Sequence, residues 1–249
     1  MNKKHCFKGS EFDNIFSVIG IGFGDEGKGS VVDYLASNYG NSVVIRHSGG
    51  HQVGHTVGFE HKLHEFRQFG SGTFRNVPTV WDKNCTVSPL QFEIEYKRLQ
   101  NIFNITPTLY CSNLCPIVTL FDIAYNRAKE AKYLTGSVGV GFAATLRRTE
   151  IVPLYVIDLF FPYVLELKIF NIRRYYMDKS EQEGIGLLFA EELTKLSNSG
   201  YDLKCFLDSC SFFINNIKIS ENDLDLNCYD NIIFEGNQGI LLDKFHGFY

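Results

Sequence analysis

Ile15-Phe16-Ser17-Val18-Ile19-Gly20-Ile21-Gly22-Phe23-Gly24-Asp25-Glu26-Gly27-Lys28-Gly29 runs from a β-branched, apolar stretch into a glycine-rich loop. Ser30 to Ser37 continues as a helix pattern with Val31, Val32 and Leu35 on one face. Strand, glycine loop and helix in that order let backbone N–H groups converge on phosphate oxygens, while the helix N-terminus adds partial positive charge. Lys28 adds a full charge. Gly22 to Gly29 keeps the P-loop spacing of four residues before Gly-Lys, but Gly29 stands where a Ser or Thr would offer its hydroxyl to magnesium. Two adjacent carboxylates, Asp25 and Glu26, would repel phosphate unless one binds the cation or exchanges a proton with the substrate. The plainer alternative is a structural turn with a solvated Asp-Glu pair.

A second strand pattern, Ser42 to Arg46, runs into Gly49-Gly50-His51-Gln52-Val53-Gly54-His55-Thr56, which combines flexible backbone with two imidazoles. Histidine can share a proton near neutral pH and can stabilise charge on a transferring phosphoryl group, although a lone histidine is more often structural. Two such loops after two strands can open on the same sheet edge, where α/β proteins bind ligands. Phe92 to Leu99, Ile123 to Lys132 and Ile185 to Leu196 read as helices, the last ended by Asn198-Ser199-Gly200. Asn231 to Phe234 reads as a strand leading into a glycine turn, Glu235-Gly236-Asn237-Gln238-Gly239. Phe69 to Thr73 and Thr135 to Gly141 are further small-residue loops that could lie against phosphate or base, or be ordinary turns. Ile151 to Phe161 is broken by Pro153 and Asp158, too short for a bilayer, and reads as core. Asp202 to Asp230 carries mixed signals. The expectation is one α/β domain over residues 1–249, a P-loop-like nucleotide-binding fold with a central, mainly parallel sheet flanked by helices.

With 249 residues, 45% of them apolar, the chain can bury a substantial core. Its net charge of −4, from 24 basic and 28 acidic residues, offers no general attraction for nucleic acid or an anionic membrane. Phosphate must therefore meet a local site. The seven cysteines are widely spaced without a C-x-x-C pair, which reads as reduced thiols in a cytoplasmic protein. Met1 to Cys6 has two lysines but no apolar stretch, so no export signal is legible.

Taken in order, these loops resemble adenylosuccinate synthetase. That family's Gly-Asp-Glu-Gly-Lys-Gly is matched by Gly24 to Gly29, and its Asp on the following helix by Asp33. Its Gly-Gly-His-Asn-Ala-Gly-His-Thr is matched by Gly49 to Thr56 apart from Gln52 and Val53, and its Thr-Gly-x-Gly-x-Gly resembles Thr135 to Gly141. Its Phe-Glu-Gly-x-Gln-Gly-x-Leu-Leu-Asp-x-x-His-Gly is matched by Phe234 to Gly247. The resemblance implies a ligase that uses GTP and magnesium to phosphorylate the 6-oxygen of IMP, after which L-aspartate displaces phosphate. It implies Asp25 and His55 as catalytic residues, Asp25 taking the N1 proton and His55 supporting the γ-phosphoryl group. Gly24, Glu26, Gly27, Lys28, Gly29, Gly54 and Thr56 would bind the triphosphate. Asp25, Lys28, Gln52, His55, Thr135 and Gln238 would bind IMP, and Asp25 with the Gly54 carbonyl would hold magnesium. Arg147 and Arg148 lie where the family sends an arginine into a partner subunit, implying a homodimer.

Two departures qualify the match. The family continues beyond the point matched by Tyr249, into the aspartate-holding loop, an arginine for the substrate ribose and a Lys-x-Asp element that reads guanine. The break directly after a substrate-binding turn reads as truncation. Glu65 to Thr73 replaces the family's His-x-x-Pro-Ser-Gly and is more similar to compact archaeal and phage members, some of which act on dGMP. In those the loop Asp is often a smaller residue, whereas Asp25 is retained, which favours IMP. A non-catalytic nucleotide-binding relative is the reading from another class.

Overall fold

The computed structural model describes residues 12–243 and Gly247. The readings on Met1 to Cys6 and on Phe245, His246, Phe248 and Tyr249 fall outside them. In chain order the elements are β1 (Asn14–Gly20), α1 (Lys28–Asn38), β2 (Ser42–Arg46), β3 (His55–Phe59), β4 (Lys62–Phe66) and β5 (Thr79–Trp81). They continue with α2 (Pro89–Phe103), β6 (Leu109–Cys111), α3 (Leu120–Tyr133), α4 (Phe142–Thr149), α5 (Pro162–Gln182) and α6 (Gly186–Asn198). Last come α7 (Leu203–Asn215), β7 (Lys218–Ile219), α8 (Ser220–Asp223) and β8 (Asn231–Gly239).

Among the described residues six strands form one sheet in the order β1-β8-β2-β5-β6-β7, every pairing parallel. This is the expected α/β architecture. All five residues of β2 are buried, as a strand covered on both faces requires. On one face Val18, Val44 and Ile233 pack against Val32 and Ala36 of α1. On the other, Val43, Ile45, Val80 and Ile232 pack together. The largest core gathers Trp81, Phe92, Leu99, Ile117, Tyr176, Phe206 and Phe213 among the remaining helices.

The step that builds the site is the insertion of β8 between β1 and β2. Ile233 lies beside Phe16 on one side and Val44 on the other, so the segment after it emerges between the two N-terminal loops. The glycine turn expected at Glu235 is instead the continuation of β8, which runs to Gly239 with a register shift opposite Val18 and Gly20.

Helix boundaries follow local chemistry. Ser88 caps α2 ahead of Pro89, and Asn104, left-handed at φ 55°, ends it. Thr119 and Asp122 form a reciprocal capping box at α3. These signals lengthen both helices beyond the expected cores at Phe92 to Leu99 and Ile123 to Lys132. The mixed segment from Asp202 begins with α7, whose N-cap is Asp202 accepting from the Cys205 amide at 2.8 Å. Antiparallel β3 and β4 turn through Glu60 and His61, both at positive φ (46° and 62°). A type I′ turn favours Asn-Gly, and its absence left this hairpin unread in the sequence. Within Ile151 to Phe161, Leu154, Val156 and Leu159 are core, but Ile151 and Phe161 are exposed. Among the described residues no helix is long and apolar enough to cross a membrane.

Candidate active site

The loop after β1 is shaped by glycine. Gly24 has φ 136°, and Gly27, at φ 76°, is the N-cap of α1 without a side-chain cap. The first amides of α1 have no intrahelical acceptor and are free to meet an anion. Lys28, 5% exposed, folds back so that Nζ donates to the Gly24 carbonyl at 2.7 Å. Glu26 turns beneath the loop, its Oε1 accepting from the Gly22 amide at 2.8 Å. Glu26 thus braces the turn, and both carboxylates are exposed and line the cavity.

Gly29 explains the departure from the P-loop pattern. A Cβ there would lie 2.9 Å from His55 Cβ, 3.1 Å from Ser71 Oγ and 3.3 Å from Val57 Cγ2. The missing side chain lets β3 lie against α1 and brings His55 to the phosphate loop. Gly239 does the same for the third segment, because a Cβ there would overlap the Gly22 carbonyl oxygen. A side chain at Gly54 would overlap the Glu65 carboxylate.

His55 is held at both ring nitrogens. Nδ1 is 2.6 Å from Glu235 Oε1 and Nε2 is 3.0 Å from the Asn237 carbonyl oxygen. Both partners are oxygens that accept hydrogen bonds. Glu235 is fully buried and also accepts from the Ser71 hydroxyl and, at 3.1 Å, from the Ser71 amide. Burial alone would raise its pKa, but the His55 hydrogen bond, the Arg46 charge and the Ser71 hydroxyl outweigh it and hold the carboxyl below the usual range. An anionic Glu235 therefore fixes an imidazole whose other nitrogen reaches the cavity wall. Arg46 is itself buried, stacked 5.0 Å over Trp81, and donates to the Arg67 carbonyl at 2.9 Å.

The cavity between these segments measures about 560 Å³ and is lined by Phe23 to Gly29, Gln52 to Thr56, Glu65, Asn237, Gln238 and Leu242. It thus gathers Gly24, Asp25, Glu26, Gly27, Lys28, Gly29, Gln52, Gly54, His55, Thr56 and Gln238, contributed by three loops distant in sequence. His51 does not share in it. Buried and next to the Arg67 charge, it is pushed down to about 4 and stays neutral, with its carbonyl accepting from Arg67 at 3.0 Å.

Thr135 is not brought to this cavity. It is exposed in the loop after α3, where the Glu130 carboxylate accepts from its hydroxyl and from the amides of Thr135 (3.0 Å), Gly136 (2.8 Å) and Ser137 (3.1 Å). Three successive amides around one carboxylate form an anion-binding nest occupied by the chain's own side chain.

The two arginines separate. Arg148 is fully buried in its own chain, donating to Asp122 at 3.2 and 3.0 Å, to the Ile117 carbonyl at 2.7 Å and to the Val152 carbonyl at 3.1 Å. It cannot extend into another subunit, which corrects the expectation for this residue: a guanidinium with those partners holds α4 to α3. Arg147, beside it, is exposed. Asp33 forms a bidentate pair with Arg75 at 2.9 and 2.7 Å, tying α1 to the segment after β4.

Glu235, Asn237, Ser71 and Glu65 are site residues that the sequence did not single out. A signal existed for Glu235, a carboxylate followed by glycine at the carboxyl end of a buried strand pattern. Ser71 fell within the small-residue loop Phe69 to Thr73 and Glu65 at the start of the departing stretch, but nothing in either marked these two side chains, which β4 and the turn after it bring to the site. Among the described residues no group of three or more His, Cys, Asp or Glu side chains is placed to hold a metal ion.

The sequence profile of the adenylosuccinate synthetase family matches residues 17–249. Adenylosuccinate synthetase of Malacoplasma penetrans is 30% identical over 247 residues, covering 95% of this chain and 55% of the relative. The enzyme of Legionella pneumophila (strain Philadelphia 1) is 30% identical over 250 residues, covering 93% and 53%. This chain therefore spans about half the length of the curated relatives it matches. Among solved structures, fully ligated adenylosuccinate synthetase from Plasmodium falciparum superposes with a TM-score of 0.63 at 20% identity, covering 95% of this chain and 53% of that one. Succinoaminodeoxyadenylate synthetase of cyanophage S-2L, bound to dGMP and dATP as an energy donor, gives 0.61 at 15% identity, covering 95% and 54%. At those identities the likeness speaks to the fold, and the sequence matches carry the assignment: the chain belongs to the adenylosuccinate synthetase family.

Proposed function

We propose that this chain carries the phosphoryl-transfer half of an IMP–aspartate ligase of purine biosynthesis, acting in the cytoplasm with GTP as phosphoryl donor. The observation that supports it most is the Glu235–His55 pair opening onto the same cavity as Asp25 and Lys28. In this reading Asp25, beside the turn-bracing Glu26, accepts the N1 proton of IMP and leaves its 6-oxygen nucleophilic. Lys28 and the free amides of α1 hold the triphosphate oxygens, positioning the γ-phosphoryl group. His55, anchored by Glu235, would exchange the Asn237 carbonyl for an oxygen of that group, donating Nε2–H to it as charge develops. Donors of this kind contribute roughly 3–4 kcal/mol to a barrier. Gln52 and Gln238 line the same cavity and would orient the purine, with Thr135 joining only if Glu130 releases its loop.

Magnesium fits the donor set, because Asp25 and the Gly54 carbonyl offer oxygens only. So small a protein contribution suits an ion that keeps its waters and phosphate ligands. When bound it would neutralise charge on the phosphoryl oxygens. L-aspartate is the second substrate in this reading, and Arg147 the arginine directed toward a partner in a homodimer.

The test is formation of adenylosuccinate from IMP, GTP and L-aspartate, followed chromatographically, with dGMP in a parallel arm. Product from IMP that disappears in Asp25→Asn while triphosphate binding persists supports the reading. Product from dGMP alone would move the assignment to the chemistry of the cyanophage relative. Tight nucleotide binding without product from either would make this chain a binding protein.

A further inference from the structure

The cavity that holds Asp25, Lys28 and His55 is polar almost throughout, and one wall is the exception. Among the described residues that line it, Phe23, Val53 and Leu242 alone carry large apolar side chains. Val53 is buried, whereas Phe23 is 53% exposed and Leu242 46%. A single exposed apolar side chain on a surface needs no explanation. Two of them at the mouth of a cavity floored by free helix amides and a lysine do, because their apolar area stays in water until a ligand covers it.

The backbone sets these two side chains together. The Leu241 amide donates to the Gly22 carbonyl at 3.1 Å, so Phe23 and Leu242 each follow one member of a hydrogen-bonded pair. Gly239 tightens the same junction, since a Cβ there would overlap the Gly22 carbonyl oxygen. Phe23 also stands between two tethered residues. The Gly22 amide donates to Glu26 Oε1 at 2.8 Å, and the Gly24 carbonyl accepts from Lys28 Nζ at 2.7 Å and from the Glu26 amide at 2.6 Å. Among the described residues no aromatic ring or cation lies against the Phe23 ring. The loop thus presents an aromatic face on a fixed mount, with no stacking partner of its own, and a preorganised surface of that kind binds without first having to be ordered.

We propose that Phe23 is the platform on which the purine base of the substrate nucleotide stacks, with Leu242 beside it extending the apolar surface. Every nucleobase offers a π-face to an aromatic ring, whatever donors and acceptors its edge carries. The neighbours identify the occupant. Asp25 follows two residues later in the same loop, and Gln238, exposed and without a side-chain hydrogen bond among the described residues, lines the same cavity. A flat heterocycle seated on Phe23 has a carboxylate and an amide beside its edge, whereas an aliphatic ligand would leave both unused. That base is the monophosphate's, which rests on the role given above to Asp25. Phe23 would then supply affinity for purines as a class and leave the choice between IMP and dGMP to the groups at the base edge.

The experiment compares IMP with ribose 5-phosphate, and GTP with inorganic tripolyphosphate, by titration calorimetry on the 249-residue protein and its Phe23→Ala and Phe23→Trp variants. Phe23→Ala should weaken IMP binding about tenfold, as loss of one base–aromatic stack does, while ribose 5-phosphate and tripolyphosphate, which lack a base, bind as before. Phe23→Trp should keep the IMP affinity and add indole fluorescence that IMP quenches and ribose 5-phosphate does not. The parent, whose single tryptophan, Trp81, is buried, supplies the baseline. Equal weakening of IMP and ribose 5-phosphate by Phe23→Ala would overturn the platform, because the ring would then be shaping the loop. So would weakening of GTP with IMP unaffected, which would give the ring to the triphosphate's base. A parent that binds tripolyphosphate but not IMP would refute the proposed monophosphate site and the platform with it, whereas tight IMP binding indifferent to Phe23→Ala refutes the platform alone.

Discussion

Gly29→Ala puts the packing of α1 against β3 under direct load. In an ordinary helix this change would stabilise, by up to about 1 kcal/mol, because alanine is the better helix former. Here the new Cβ would stand 2.9 Å from His55 Cβ, 3.1 Å from Ser71 Oγ and 3.3 Å from Val57 Cγ2. Carbon atoms do not approach that closely, and His55 cannot easily yield, being held at 2.6 Å by Glu235 and at 3.0 Å by Asn237. Overpacking of this kind costs about 1–3 kcal/mol, and anchored neighbours place it toward the upper end. The steric loss therefore exceeds the propensity gain, for a net destabilisation of about 1–2 kcal/mol. In a domain of this size that lowers the melting temperature by about 2–8 °C. Gly40→Ala is the control, since Gly40 faces open space and the same exchange there should be neutral or mildly stabilising. Thermal melts and denaturant titrations of both variants, with triphosphate titrations of the folded proteins, decide the matter. A Gly29→Ala protein as stable as its parent, with unchanged triphosphate affinity, would refute the argument that this glycine exists to seat His55.

Acid should destabilise the fold through His51, which is held down to about 4 from an ordinary 6.5. Between those values the unfolded chain binds a proton that the folded chain refuses. Stability therefore falls as pH drops through the window, by about 3 kcal/mol across it, and His51→Asn should flatten the slope in urea titrations at about pH 7 and about pH 4. Arg148→Met should cost about 3–5 kcal/mol by leaving buried Asp122 without its partner; calorimetry that found it neutral would undo the core role given to this arginine. Glu130→Ala should free the amides of Thr135, Gly136 and Ser137 and, if Thr135 binds IMP as proposed, tighten IMP binding severalfold by titration calorimetry; an unchanged affinity would remove Thr135 from that proposal.

Local chemistry made much of the site legible in the sequence. A strand, a glycine loop and a lysine at a helix start are contiguous, and their physics is contiguous too: free amides and one ammonium at a helix N-terminus attract phosphate wherever the helix goes. The same holds for β2 and the following His55. Helix cores at 92–99 and 123–132 were readable from periodicity, while their true ends depended on capping contacts at Ser88, Asn104 and Thr119. The β3–β4 hairpin escaped because its turn residues, Glu60 and His61, both exposed and at positive φ, lack the Asn-Gly chemistry that marks such a turn.

Sequence by itself determined that a glycine loop, Gly24 to Gly29, would lead from a strand into a helix, that Asp25 would stand in that loop, and that His55 would follow a second strand. Tertiary structure alone decided which of these residues act together. By placing β8 between β1 and β2, the fold carries Glu235 about 180 residues along the chain to His55, and a sheet order is set by which strands can bury each other's faces. The same long-range packing put Arg148 into the core against Asp122, an outcome that depends on a neighbour distant in sequence.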